Sequence, residues 1–178
     1  MSVTVAILHG VNVGGRNRVA MSELRTALAE AGLPGARTYV QSGNIVVGGA
    51  GPGDIRSTIE RVLDTRFAVT TTALCYTGAQ WAGIVDANPY PEAAADPTRL
   101  AVLFCRNTPN AAQREKLEAA RGNGEAFQLV PGAIYLNLPH GQARSKLAAA
   151  ASALFKTDGT TRNWRTVLAL LAMAEAAE

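Results

Sequence analysis

The chain opens with a continuous, mostly apolar run, Val3 to Leu8, closed by Gly10, a pattern that predicts a buried strand. From Met21 the rhythm changes. Apolar residues at Met21, Leu24, Ala27, Leu28 and Ala31 follow helical spacing, and Gly32 stands where a C-terminal cap belongs. Arg37–Gln41 and Ile45–Val47 are short β-favouring runs around Ser42-Gly43-Asn44, which predicts a hairpin. After the glycine-rich stretch 48–53, Asp54 can cap a helix with Ile55, Ile59, Val62 and Leu63 facing inward, and Val69–Tyr76 reads as the next strand. The order βαββαβ within about 77 residues is that of a ferredoxin-like plait.

A helical stretch at 79–86 leads into an alanine- and proline-rich connector through Pro97, and the order then restarts. Leu100–Cys105 predicts a strand, Thr108-Pro109 a helix start, Phe127–Val130 and Ala133–Leu138 a second hairpin across Pro131-Gly132, and Ala143–Phe155 a helix. Where a last strand would complete the plait, Trp164, Val167, Leu168 and Leu171 form one helical stripe instead. The expected architecture is therefore α+β. It has a first ferredoxin-like unit at 1–77, a helical connector at 78–98, a second unit at 99–158, and a C-terminal helix at 159–178 in place of a strand.

Composition narrows the class. With 178 residues, 48% of them hydrophobic, the chain can bury a substantial core, and its formal charge of +3 is too small to argue for nucleic acid by itself. No secretory pattern or membrane-length apolar run is present, so a cytoplasmic protein is expected. Cys75 and Cys105 lie in separate apolar runs and read as buried free thiols. Two histidines, His9 and His140, without further ligands at fixed spacing make a metal site improbable, and no cofactor is expected.

Charge distribution matters more than its total. Gly10–Asn17, GVNVGGRN, has the spacing of a phosphate-binding loop, but Arg16 replaces the lysine and Asn17 the magnesium-binding hydroxyl. This argues against an ordinary nucleotide hydrolase. It leaves two readings: glycine-rich backbone before a helix that offers amides to an anion, or a tight turn whose glycines only permit positive φ. Arg16 and Arg18 precede the first helix, Arg144 and Lys146 open the second-half helix, and Arg162 and Arg165 open the last. Cations at helix N-termini oppose the helix dipole, so three such starts suggest an assembled anion site. Residues 126–174 carry five lysines and arginines against one acid, Asp158. Asn17 and Asn163 are candidate hydrogen-bonding groups, Trp164 reads as core, and Gln41, Ser42 and Asn44 form a polar hairpin tip.

The motifs GVNVGGRN, TYVQSGN, RSKL and TTRNW, in this order, resemble the bacterial family known as domain of unknown function 1697, over nearly the whole chain. The resemblance implies two ferredoxin-like units and no established activity. On its pattern the candidate ligand-binding residues are Asn12, Gly14, Gly15, Arg16 and Asn17, then Gln41, Ser42 and Asn44 beside Gly43, then Ser145 and Lys146, and finally Arg162 and Asn163. His9, Val47 and Arg165 depart from the family pattern, which favours arginine, an aromatic and asparagine there.

The leading expectation is a protein that binds a small phosphate- or carboxylate-bearing ligand at the glycine loop and the basic helix starts. No reaction type follows. Two alternatives stand beside it: nucleic-acid binding through the same basic surface, although VTVAIL and IVV lack the stacking aromatics of RNA-recognition strands and only Tyr39 on a neighbouring strand could serve, and a structural or regulatory interaction module. No oligomeric state or membrane association is implied.

Overall fold

The computed structural model describes residues 3–49 and 51–177; Ala50, within the glycine-rich stretch, lies outside them. In chain order the elements are β1 (Val3–Leu8), α1 (Met21–Glu30), β2 (Arg37–Tyr39), β3 (Asn44–Gly48), α2 (Pro52–Phe67), β4 (Ala73–Thr77) and α3 (Gly78–Asp86). The series then repeats as β5 (Leu100–Cys105), α4 (Ala111–Ala119), β6 (Ala126–Val130), β7 (Ala133–Asn137), α5 (Lys146–Leu154), β8 (Gly159–Asn163) and α6 (Trp164–Glu175). Two four-stranded antiparallel sheets result, ordered β2-β3-β1-β4 and β6-β7-β5-β8. Both have the strand order of the ferredoxin-like plait.

The chain divides into two compact units, residues 1–82 with 169–178, and residues 83–168. The division runs through α3 and through α6, whereas the sequence places bounds at 77, 98 and 158. In the first unit Ala6 and Leu8 of β1, with Ile45 and Val47 of β3, pack against Leu24 and Leu28 of α1 and Ile55 and Ile59 of α2. The opposite face of the same strands is buried too, through Val5, Ile7 and Val46. On that face Tyr76 meets Trp81 edge-on at 5.7 Å, and Arg37 donates 2.5 Å to the Met173 carbonyl near the end of α6. Cover on both faces explains why Val3–Leu8 is almost wholly apolar instead of alternating, with Thr4 the one polar residue and buried like the rest.

The second unit repeats the arrangement. Ala101 and Leu103 of β5 pack with Ile134 and Leu136 of β7 against Leu117, Leu147 and Phe155 from the α4 and α5 side. On the other face Tyr135 lies 5.9 Å from Trp164, and its hydroxyl donates 2.6 Å to the Ile84 carbonyl.

Three local expectations are corrected. The C-terminal helix forms, but it follows a fourth strand rather than replacing one: β8 pairs with β5 from Ala101↔Asn163 to Cys105↔Gly159. A polar segment with adjacent threonines carries no apolar alternation, so its strand character comes from its partner. Gly159 marks the closeness of that pairing, since a Cβ there would lie 2.8 Å from Phe155 Cβ and 3.1 Å from the Phe104 carbonyl. Second, α4 is capped by Asn110, not Thr108. The Asn110 and Gln113 side chains each accept a hydrogen bond from the other's backbone amide, a reciprocal capping box that fixes the start two residues later. Third, Gly51 occupies the N-cap of α2 with proline just inside, and Asp54 lies in the first turn.

The duplication extends to how each plait ends. Thr77 closes β4 and its Oγ1 accepts from the Gln80 amide at 3.1 Å, while Asn163 closes β8 and its Oδ1 accepts from the Thr166 amide at 2.9 Å. Each plait thus runs straight into a helix capped by its own last strand residue.

Candidate functional site

In the first unit, the segment between β1 and α1 is a miniature hairpin, which we call the finger. Gly14 and Gly15 have φ of +59° and +77°, the consecutive positive values of a type I′ turn. The Arg16 amide donates to the Val13 carbonyl, and the Asn12 amide to the Asn17 carbonyl, each at 3.1 Å. A phosphate-binding loop runs directly into its helix, and GVNVGGRN does not. Two of the amides are spent across the finger, and α1 begins only at Met21.

Two asparagines hold the finger in place, both in the left-handed region at φ of +55° and +49°. The Asn12 side chain donates to the carbonyls of Val19 (2.9 Å) and Gln41 (2.7 Å) and accepts from the Val19 amide (2.8 Å). Asn17 donates 3.0 Å to the Gly10 carbonyl. These side-chain amides serve the scaffold. The hairpin tip between β2 and β3 is braced in the same manner, with buried Asn44 donating to the Tyr39 carbonyl and to Ser42 Oγ, both at 3.0 Å. Gly43 sits at φ +72°, where a Cβ would lie 2.8 Å from Leu8 Cβ. Only glycine lets the tip approach the end of β1 so closely.

The Asn12–Gln41 hydrogen bond brings the first two motifs together. Beside it lies an open depression of about 620 Å³ whose lining includes Asn12, Gly15, Arg18, Glu23 and Gln41. The cation on its wall is Arg18; Arg16, the charge singled out by the motif, is exposed on the finger and is not part of the lining.

The second-half candidates are distributed differently. Arg162 does not open a helix; it lies in β8 opposite Val102, which in turn pairs with Tyr135. Residues in register share a face, so the Arg162 side chain points to the Tyr135 side of the sheet, while α5, which begins at Lys146, packs on the Leu103 side. Arg162 is buried, its guanidinium donates to Thr160 Oγ1 (2.7 Å) and the Thr161 carbonyl (2.9 Å), and burial pulls its pKa down to about 10. Asn163 is spent as the cap of α6.

At the start of α5, Ser145 Oγ accepts from the Ala148 amide at 2.8 Å. The buried Glu125 carboxylate accepts from the Gly122 amide at 2.7 Å and the Leu147 amide at 3.4 Å. Burial acts to raise the Glu125 pKa, but hydrogen bonds from Ser145, Gly122 and Leu147, with the nearby His140, outweigh it and hold the carboxyl below its ordinary value. The helix start read as a site for an external anion already holds an internal one. Glu125 stands one residue before the acid-poor stretch 126–174, so the charge pattern along the chain does not point to it.

Other chemistry is constrained. Cys75 and Cys105 are half-buried free thiols, and burial pushes both up to about 11, so neither is a ready thiolate. Among the described residues no three metal-binding side chains gather, and no helix is long and apolar enough to cross a membrane. His9 is half-buried with its carbonyl accepting 2.5 Å from Thr71 Oγ1, and His140 is exposed.

Comparison with known proteins agrees with this architecture. No curated protein matches the chain. The conserved bacterial protein SP0830 from Streptococcus pneumoniae is similar in structure with a TM-score of 0.78 at 22% identity, covering 97% of this chain and 98% of that one. At that identity the likeness concerns the fold. A family model matches residues 1–135, which include the finger, the hairpin tip, the first six strands and the start of β7, and by it the chain belongs to the family described as Protein of unknown function (DUF1697).

Proposed function

We propose that the protein binds a small anionic ligand, bearing a phosphate or a carboxylate, in the depression at the base of the finger. The observation that carries this reading is the 2.7 Å hydrogen bond from Asn12 to the Gln41 carbonyl, which draws two separate motifs around the wall that carries Arg18. Scaffold asparagines fix that wall before any ligand arrives, so little ordering entropy is left for binding to pay. Arg18 supplies the charge and Gly15 lets the ligand approach the backbone closely. Glu23 lies on the same wall, and a carboxylate is an acceptor, so the ligand should carry a donor next to its anionic group.

The test is thermal unfolding of the protein and of Arg18→Ala with inorganic phosphate, phosphate monoesters and hydroxy-carboxylates. A ligand that binds only the native state raises Tm, by about 2.7 kcal/mol of stabilisation at a hundred times its Kd. The expected result is a dose-dependent rise in the parent that Arg18→Ala abolishes without lowering its own ligand-free Tm. A rise of equal size in both proteins would place the ligand elsewhere.

A further inference from the structure

Among the described residues three large hydrophobic side chains stand out in solvent, and two of them lie on this one end of the first unit. Val13, 62% exposed on the finger, and Val40, 52% exposed at the hairpin tip, each neighbour in sequence one end of the Asn12–Gln41 hydrogen bond. Val40 is held at φ +49°, a strained conformation for a β-branched residue, and the hairpin keeps it there. Neither valine is a loose end. The finger that carries Val13 is pinned through Asn12 and Asn17, so an apolar surface is presented rigidly to water.

The charge on the finger is basic, and Glu23 is the acid on the wall of the depression beside it. Arg16 and Arg18 are exposed, and neither takes part in an ion pair among the described residues. The sequence has no carboxylate between residues 3 and 22 or between residues 31 and 53. The surface therefore pairs an apolar spot with two free cations beside an open groove. A small ion could use the cations but gains nothing from the valines. A phosphodiester backbone likewise offers the valines no apolar counterpart; β1 and β3 carry no aromatic residue on which a base could stack, and Tyr39 of the adjoining β2 is half-buried.

We propose that the finger and hairpin tip dock an acidic peptide segment of a partner protein. An apolar side chain of that segment sits on Val13 and Val40, and its carboxylates pair with Arg16 and Arg18. This rests on the reading of the depression as an anion site and names the carrier of the anion: a chain that places an apolar side chain and a carboxylate within two residues of each other satisfies both halves of the surface.

The experiment uses fluorescence polarisation with two labelled peptides, one alternating glutamate and leucine and one alternating glutamate and serine, beside a single-stranded oligonucleotide. Inorganic phosphate is followed in parallel by thermal shift. The glutamate–leucine peptide is expected to bind roughly tenfold tighter than the glutamate–serine peptide, the scale of partly burying one leucine. Val13→Ser should erase that preference while its own Tm and its phosphate response stay at the parent's values, and Arg16→Ala should weaken both peptides. Equal binding of the two peptides, unchanged affinity of Val13→Ser, or tighter binding of the oligonucleotide would overturn the proposal. Peptide binding without a phosphate response in the parent would overturn the small-anion reading and keep the docking surface. A phosphate response without peptide binding would do the reverse.

Discussion

The two plaits share one frame and differ at one connection. In each, the central strand ends against a glycine of the neighbouring hairpin: the Leu8 amide donates 2.8 Å to the Gly43 carbonyl, and Cys105 stands one step past the Phe104↔Ala133 pair, toward Gly132. From that shared point the first unit inserts the finger before α1, while the second crosses five residues to the boxed start of α4. The longer connection holds exposed Val13 and two cations, and with the hairpin tip it lines the depression. The shorter one holds a helix cap and a pocket of only about 100 Å³. A duplicated fold has kept one copy of this connection plain and elaborated the other, so binding chemistry is better sought in the elaboration than in the frame.

Substitutions can sharpen or break that contrast. The largest effect is expected at Asn12→Ala, which strands the Val19 amide and two carbonyls at the root of the finger and should cost about 2–3 kcal/mol in urea unfolding. Next comes Glu125→Gln, with a loss of about 1–2 kcal/mol at neutral pH as charge-assisted hydrogen bonds become neutral ones. The folded-state pKa of Glu125 is depressed, so its stabilisation is fully present above the unfolded value and is lost as pH falls through the folded one. The gap between parent and Glu125→Gln, measured across a pH series, should therefore close on the acid side of 4.5.

Asn110→Ala in the plain connection should cost about 1 kcal/mol, the ordinary worth of a helix cap. A loss there equal to that at Asn12 would show that the finger is no more than another cap. The smallest stability effect belongs to Arg18→Ala, within about 0.5 kcal/mol of the parent, although the ligand response should disappear. That separation of stability from binding is what a site built on a rigid scaffold predicts.

The parts of the fold that the sequence foretold are those whose burial writes a period into the chain. Val3–Leu8, covered on both faces, and α1, with its single inward stripe, are unambiguous. Gly159–Asn163 is a strand because β5 offers its edge, and its own residues carry no alternation to announce it. The site follows the same division. Glycine and arginine draw attention to the finger, and their spacing suggests a phosphate cradle; the sign of φ at Gly14 and Gly15 is fixed by pairing across the finger, which spacing does not encode. The basic helix starts looked alike in sequence because their counter-groups come from elsewhere: Glu125 reaches the amide of Leu147, 22 residues on, and Arg162 turns to the far side of its sheet.

The Asn12 side chain also has a consequence for how this chain can change over time. Surface connections ordinarily gain and lose residues independently of one another. Here one carboxamide spans the finger and the hairpin tip, with hydrogen bonds to Val19 seven residues ahead and to Gln41 twenty-nine residues ahead. Inserting or deleting a residue in either connection pulls that carboxamide off its acceptors in both. Two loops that would otherwise drift separately in length are tied to a common ruler, and a change in one is tolerated only with a matching change in the other.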